Sequence, residues 1–257
     1  MAFLTGAFSG WVNPDRLADA VAPGSDIQVI TNIKQLDDQG ASTAMATDFQ
    51  PSGALWRKMH AQNGATESID ALRSFGAVDL EDLSVQITLG NPRREQIRIL
   101  DMKVIDVQRT APLTGTLFYA PPQEGNADLM MMTDFDQARP QVDSILPAEG
   151  PVYRPGQPYF DSHSISLSSG EQQVLMYRAH VTKYSVTFKL EIDYLIGSSE
   201  KAQVIDNAGK PFAVTGVHTN PTDGHWSYQQ VFAMNGNFQY CAMTNPADFS
   251  PDTAASC

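Results

Sequence analysis

Lys183–Gly197, KYSVTFKLEIDYLIG, decides the fold. Tyr184, Val186, Phe188, Leu190, Ile192, Tyr194 and Ile196 are apolar, and Ser185, Thr187, Lys189, Glu191 and Asp193 lie between them. Side chains alternate faces along a strand with a period of two residues. The stretch therefore reads as one long strand, greasy on one face and wet on the other. At about 3.3 Å per residue it runs roughly 45 Å. An apolar face of that size requires a second layer over it. A slip of one residue would turn every apolar side chain into water, so its pairing is strongly specified.

Working outward, the chain from Leu83 onward reads as continuous β structure. Leu83, Val85, Ile87 and Leu89 alternate, and Gly90-Asn91-Pro92 marks a turn. In Gln96–Gln108 the apolar phase shifts twice. Ile97 and Ile99 share one phase, Leu100, Met102 and Val104 the other, and Ile105 and Val107 return to the first. Phase shifts signal bulges, or a strand that leaves one sheet for another. Residues 83–108 thus read as a hairpin with a bent second arm. Further strands are expected over 113–119, 129–135, 164–167, 174–181, 201–205 and 212–217. Val174–Val181 is the natural partner of the long strand. Only Thr182 separates the two, and so short a join suggests a bulge or a sheet crossing rather than a simple hairpin.

Before Leu83 the pattern is mixed. Asn13 caps a short helix with Pro14 at its first position and Leu17, Ala18 and Val21 on one face. Ile27–Lys34 is a first strand, 36–49 a polar loop, and Ser52 caps a second helix with Leu55, Trp56 and Met59 inward. SIDALRSFG suggests one more helical turn. The fold class is all-β: a mainly antiparallel β-sandwich of about nine strands with one or two short N-terminal helices. The expected organisation is an apolar, helical segment over 1–26, the β-sandwich over 27–217 and an irregular tail over 218–257.

Composition limits the partners. The 257 residues carry a net charge of −12. Such a field repels nucleic acid and anionic lipid, which sets both aside. No stretch approaches the roughly 20 apolar residues of a membrane span. The opening MAFLTGAFSGWV is short and lacks the basic region of a secretion signal. It reads as a buried edge or the remnant of a longer anchor. The two cysteines, Cys241 and Cys257, both fall in the last seventeen residues. In an oxidising compartment a bridge between them would close a short loop and stabilise by about 3 kcal/mol.

Candidate chemistry is sparse. GxSxG, HExxH, phosphate-loop and dinucleotide patterns are missing, and no cofactor or metal is implied. His218 and His225 flank Asp223 in a loop without zinc spacing. Asp161-Ser162-His163 joins three catalytic residue types, but neighbours in a strand or turn point apart. Asp134 and Asp136 share a face if strand-borne, where paired carboxylates suit calcium or acid–base work. Asp37-Asp38, Asp79, Glu81 and Asp82 read as loop charges, and His60 and His180 as structural. Tyr153, Tyr159 and Phe160, beside a proline-rich connection, form the candidate binding surface.

Four strings together resemble a known group: VIDVQRTAPLTGTLF (Val104–Phe118), PYFDSHSISLSSGEQQ (Pro158–Gln173), the long alternating strand, and IDNAGKPF (Ile205–Phe212). Their order and spacing are similar to those of uncharacterised actinobacterial membrane-tethered proteins with an extracytoplasmic β domain. The likeness covers Leu83 to Phe212. It implies a domain facing outward from the cell membrane, with a tether that this chain does not itself contain, and it transfers no activity, ligand or catalytic residue. The leading expectation is a non-enzymatic extracytoplasmic module for interaction or sensing, its partner an unknown protein or cell-surface ligand. The alternatives are a hydrolase or metal-dependent enzyme using Asp134, Asp136 and a histidine, and a virion or surface-assembly subunit.

Overall fold

The computed structural model describes residues 26–61, 64–122, 129–146 and 153–252. Two sheets pack on one another. The first has six strands, in the order β1 (Gln28–Lys34), β4 (Asp82–Gly90), β11 (Gln172–His180), β7 (Met131–Asp134), β8 (Asp143–Leu146) and β9 (Arg154–Pro158). The second runs β10 (Ile165–Leu167), β5 (Ile97–Thr110), β12 (Ser185–Ile196), β14 (Phe212–Thr215), β3 (Val78–Leu80), β2 (Thr43–Ala44), β6 (Thr116–Tyr119), β15 (Gln230–Met234) and β16 (Tyr240–Ala242). A further strand, β13 (Ser199–Ile205), also pairs with β12. The helices are α1 (Gly53–Met59), α2 (Gly64–Ser74) and a single turn, α3 (Tyr159–Ser162).

The long strand organises the core as its alternation requires. Val186, Phe188, Leu190 and Ile192 of β12 are fully buried, and Tyr194 nearly so. They pack in one cluster with Val85, Ile87 and Leu89 of β4 and Leu175, Tyr177 and Ala179 of β11. The polar face carries cross-strand ion pairs, Lys189 to Asp106 at 3.2 Å and Lys103 to Asp193. Tyr184 falls outside the strand and is partly open to solvent.

The two phase shifts in β5 are bulges. Thr187 pairs with Gln108 but Lys189 with Ile105, so two residues of β5 oppose Phe188, and Asp106 there takes a left-handed φ of 53°. Asp193 pairs with Asp101 and Tyr194 with Ile99, leaving Leu100 out. Each bulge re-aims the apolar side chains that follow it.

Several sequence expectations are corrected. The described residues hold sixteen strands, not about nine. Residues 83–108 do not form a hairpin, because β4 and β5 belong to different sheets. Buried Asn91 turns the chain between them, its Nδ2 donating to the Glu95 and Leu167 carbonyls at 2.8 Å each. β11 and β12 do not pair either; the join at Thr182 is a sheet crossing. The sandwich is mainly antiparallel, but β11 with β7, β14 with β3, and β15 with β6 run parallel. The loop over 36–49 contains a 3-10 turn (Asp37–Gln39) and β2. The suggested helical turn is the eleven-residue α2. The stretch read as an irregular tail contributes β15 and β16 to the larger sheet. Both faces of β15 are covered: Phe232 and Met234 join the cluster under α1 and α2, Val231 and Ala233 the cluster around Phe249 and Tyr228. A strand buried on both sides shows no alternation to read. The helix expected over 13–22 lies outside the described residues.

Candidate functional site: a histidine between aspartates at the sheet crossing

On β11 the side chains of Tyr177, Ala179 and, just beyond it, Val181 face the core, so Arg178 and His180 face the other way. Register places His180 opposite Asp82 on β4 and opposite Asp134 on β7. The imidazole Nδ1 lies 2.9 Å from Asp82 Oδ1. The two side chains are 32% and 24% exposed, so solvent reaches both.

The next three residues carry the chain to the other sheet, and acidic residues hold every one of them. Val181 N–H donates to the Glu81 carbonyl at 2.9 Å, and Phe135 N–H to the His180 carbonyl at 2.8 Å. The Asp136 carboxylate accepts from Thr182 N at 3.0 Å, Thr182 Oγ1 at 2.5 Å and Lys183 N at 3.0 Å. Asp134 Oδ1 accepts from Asp136 N–H at 2.9 Å, which shapes the turn that presents that carboxylate. Glu81 sits at a left-handed φ of 62° and donates its N–H to the Thr215 carbonyl at 2.7 Å. Beyond the crossing, Arg109 lies over the Tyr184 ring at 5.7 Å. It also donates to the carbonyls of Phe135 at 3.1 Å and Gln137 at 2.8 Å.

The electrostatics follow from this crowding. Burial works against the charged imidazole of His180. The hydrogen bond and charge of Asp82, with the charges of Asp134 and Glu81, outweigh it and raise the imidazole above its ordinary value of 6.5. Burial pushes Glu81 up, and Asp82 and Asp136 push it the same way against the charge of His180. Burial also opposes ionisation of Asp136, but the bonds from Thr182 and Lys183 hold its carboxyl below the usual range. A carboxylate on Nδ1 is the arrangement that orients a catalytic histidine. Among the described residues, however, no hydroxyl or thiol is hydrogen-bonded to His180; the group carries a proton beside a strand junction.

Asp134, Asp136 and a histidine do meet at one corner, but not as an acid–base set. Asp136 is committed to the crossing backbone, and the carboxylate on the imidazole belongs to Asp82. Asp82 and Glu81 carried no sequence signal beyond their charge, since only the register of β4 against β11 brings them to His180. Among the described residues no three His, Cys, Asp or Glu side chains are grouped as a metal would require.

The aromatic candidates separate. Tyr159 is 6% exposed and belongs to the core, which corrects its reading as a contact residue. Its N–H donates to the Val142 carbonyl at 3.0 Å, turning α3 inward, and its ring stacks on His163 at 4.3 Å. Phe160 is half-buried against the same core, 5.1 Å from Tyr159. Tyr153 packs under the Arg178 guanidinium at 4.8 Å. Ser162 Oγ lies 3.0 Å from His163 Nδ1, and that nitrogen also lies 2.9 Å from the Tyr159 carbonyl. His225 lines a depression of about 220 Å³ with Asp223, Trp226 and Phe249. A second, of about 320 Å³, is lined by Asp26, Arg93, Arg94, Glu95 and Ile196. Neither includes the His180 corner. Cys257 lies outside the described residues, and with it the bridge expected from Cys241.

No protein-family model matches the chain, and no curated protein matches it. Among the described residues, no helix is long and apolar enough to cross a membrane.

Proposed function

We propose that the chain is a non-enzymatic β-sandwich module that serves interaction or sensing on the outer face of a cell membrane. The observation that carries this reading is the composition of the sandwich corner at the crossing. There Glu81, Asp82, Asp134 and His180 gather on a backbone fixed from both sheets, and the partly open Tyr184 follows directly after the crossing with its ring under the Arg109 guanidinium. Aromatic rings on rigid loops at the end of a sandwich are effective contact points. The carboxylates give the corner the sign that suits a basic segment of a protein or cell-surface ligand. Asp136 serves the crossing and not a reacting group, which supports a binding role over a hydrolytic one. The outward placement rests on the resemblance over Leu83–Phe212. It carries with it the proposal that Cys241 and Cys257 pair.

The test places a photoreactive residue at Tyr184 in the full-length protein within its native cells. The control position is Phe238, 42% exposed against 36% for Tyr184 and on the turn between β15 and β16. A discrete adduct at position 184 and none at 238 is the expected result. Adducts at both positions, or at neither, overturn the contact surface. Protease added to intact cells tests the location separately: an epitope-tagged chain that survives intact there, yet is cut after lysis, is not on the outside.

A further inference from the structure

We propose that His180 makes the sheet crossing a pH-sensitive clamp, tighter when the imidazole is protonated. The inference needs no partner and stands apart from the contact reading above. Asp82 faces the His180 ring from β4 and Glu81 from the turn before β4. Asp134 faces it from β7 and Asp136 stands on the turn after β7. On its own strand the nearest cation is Arg178, which is paired to Asp38 and has no charge to spare. Lys183 follows across the join, beside Asp136. Arg109 is bonded to the carbonyls of the 135–137 turn. Thr215 brings a carbonyl from β14 and no charge. The imidazolium is thus the cation shared by carboxylates from two strands and two turns.

Two of these residues also hold the backbone of 181–183, by which β11 passes into β12: Glu81 through its carbonyl to Val181 N–H, and Asp136 through its carboxylate to Thr182 and Lys183 N–H. When His180 takes up a proton, its charge offsets the repulsion among Glu81, Asp82, Asp134 and Asp136, and the bonds that Glu81 and Asp136 make to the crossing open less often. When it releases the proton to solvent, the hydrogen bond to Asp82 can persist in one tautomer, but the counter-charge is gone. The sign follows from linkage. His180 and Glu81 both hold protons more tightly in the folded chain than in the unfolded one. The contribution of Glu81 is lost as pH climbs from the ordinary value of 4.5 through its raised value, and that of His180 as pH climbs from the ordinary histidine value of 6.5 through its own raised value.

The experiment is residue-resolved amide exchange on the full chain between pH 5.5 and 8.5, corrected for intrinsic rates, with the imidazole followed by NMR. Wild type is expected to lose about tenfold in protection at 181–184 for each unit by which the His180 midpoint is raised. Val231 and Phe232, in the distant β15, are expected to stay constant. His180→Gln keeps a hydrogen-bonding side chain without the charge and is expected to make 181–184 independent of pH. Asp82→Asn, which retains the imidazole, is expected to bring its midpoint down and move the exchange transition with it. This variant decides the matter if the glutamine variant does not fold. A midpoint at or below 6.5, an unchanged midpoint in Asp82→Asn, or the same pH dependence in His180→Gln as in wild type would overturn the proposal.

Discussion

Arg178 and Asp38 meet through two parallel hydrogen bonds of 2.9 Å, Nη1 to Oδ2 and Nη2 to Oδ1, with side chains only 2% and 1% exposed. Asp38 belongs to a 3-10 turn 140 residues away in sequence, laid over the outer face of the six-stranded sheet. Arg178 Nε donates to Ser84 Oγ on the neighbouring strand at 3.2 Å, and the Tyr153 ring covers the guanidinium. The pair is what bolts the 36–41 connection onto the sheet.

Removing one partner strands the other charge in a dry site. Arg178→Met is therefore expected to cost roughly 3–5 kcal/mol in urea unfolding. The double variant Asp38→Asn/Arg178→Met leaves no buried charge and is expected to recover much of that loss. Equal instability of the single and double variants would mean that the cost lies in shape and not in charge.

The same pair sets an acid limb. Burial pushes the Asp38 carboxyl up, but the bonds and charge of Arg178, with Tyr153 assisting, hold it below its usual 3.8. A depressed carboxyl contributes its full stability above the unfolded value and loses it as pH falls through the folded one. Below about pH 3.8, wild type is expected to lose stability more steeply than Asp38→Asn, read as midpoint against pH in urea titrations.

Phe188 is the centre of the sandwich. Its ring lies 4.6 Å from Phe135, 5.5 Å from Phe212 and 6.2 Å from Tyr177, and it is fully buried. Phe188→Ala removes that contact set and leaves a cavity between two sheets that cannot close on it. A loss of about 3–5 kcal/mol is expected by chemical denaturation.

What the sequence made legible was whatever alternates. Val186 through Tyr194 announce one buried face, and the covering layer follows from it. The phase shifts at Leu100 and Ile105 announce bulges that the register bears out. Partner choice was not legible: an alternating strand does not say which strand lies beside it, so β4–β5 reads as a hairpin although Asn91 turns the chain into the other sheet. β15, buried on both faces, gave no alternation at all. The His180 corner was hidden for the same reason. Asp82, Asp134 and His180 are far apart in sequence, and only pairing of β11 with two neighbours brings them together.

Tyr159 shows how burial changes a test. As a contact residue it would be replaceable without loss of stability. With 6% exposure and its ring stacked on His163, Tyr159→Ala is expected instead to cost about 3 kcal/mol, the lower end for a buried aromatic. A calorimetric scan separates the two outcomes: an unchanged melting temperature would return Tyr159 to the surface.

Gly216 backs directly onto the crossing. Its N–H donates to the Tyr184 carbonyl at 2.7 Å, and a Cβ added there would run into the carbonyl of Thr182, with Lys183 N at 3.1 Å. These are backbone atoms held by Asp136, so no side chain can swing aside to make room. Gly216→Ala is expected to push the crossing away from β14 and to cost about 1–3 kcal/mol, as overpacking does. It changes no charge. Amide exchange at 181–184 is therefore expected to rise by a similar factor at every pH, in contrast to the transition that His180 imposes on the wild-type chain. If the variant folds with unaltered exchange there, the crossing yields more easily than its hydrogen bonds imply, and Gly216 is not what sets the distance between β14 and Thr182.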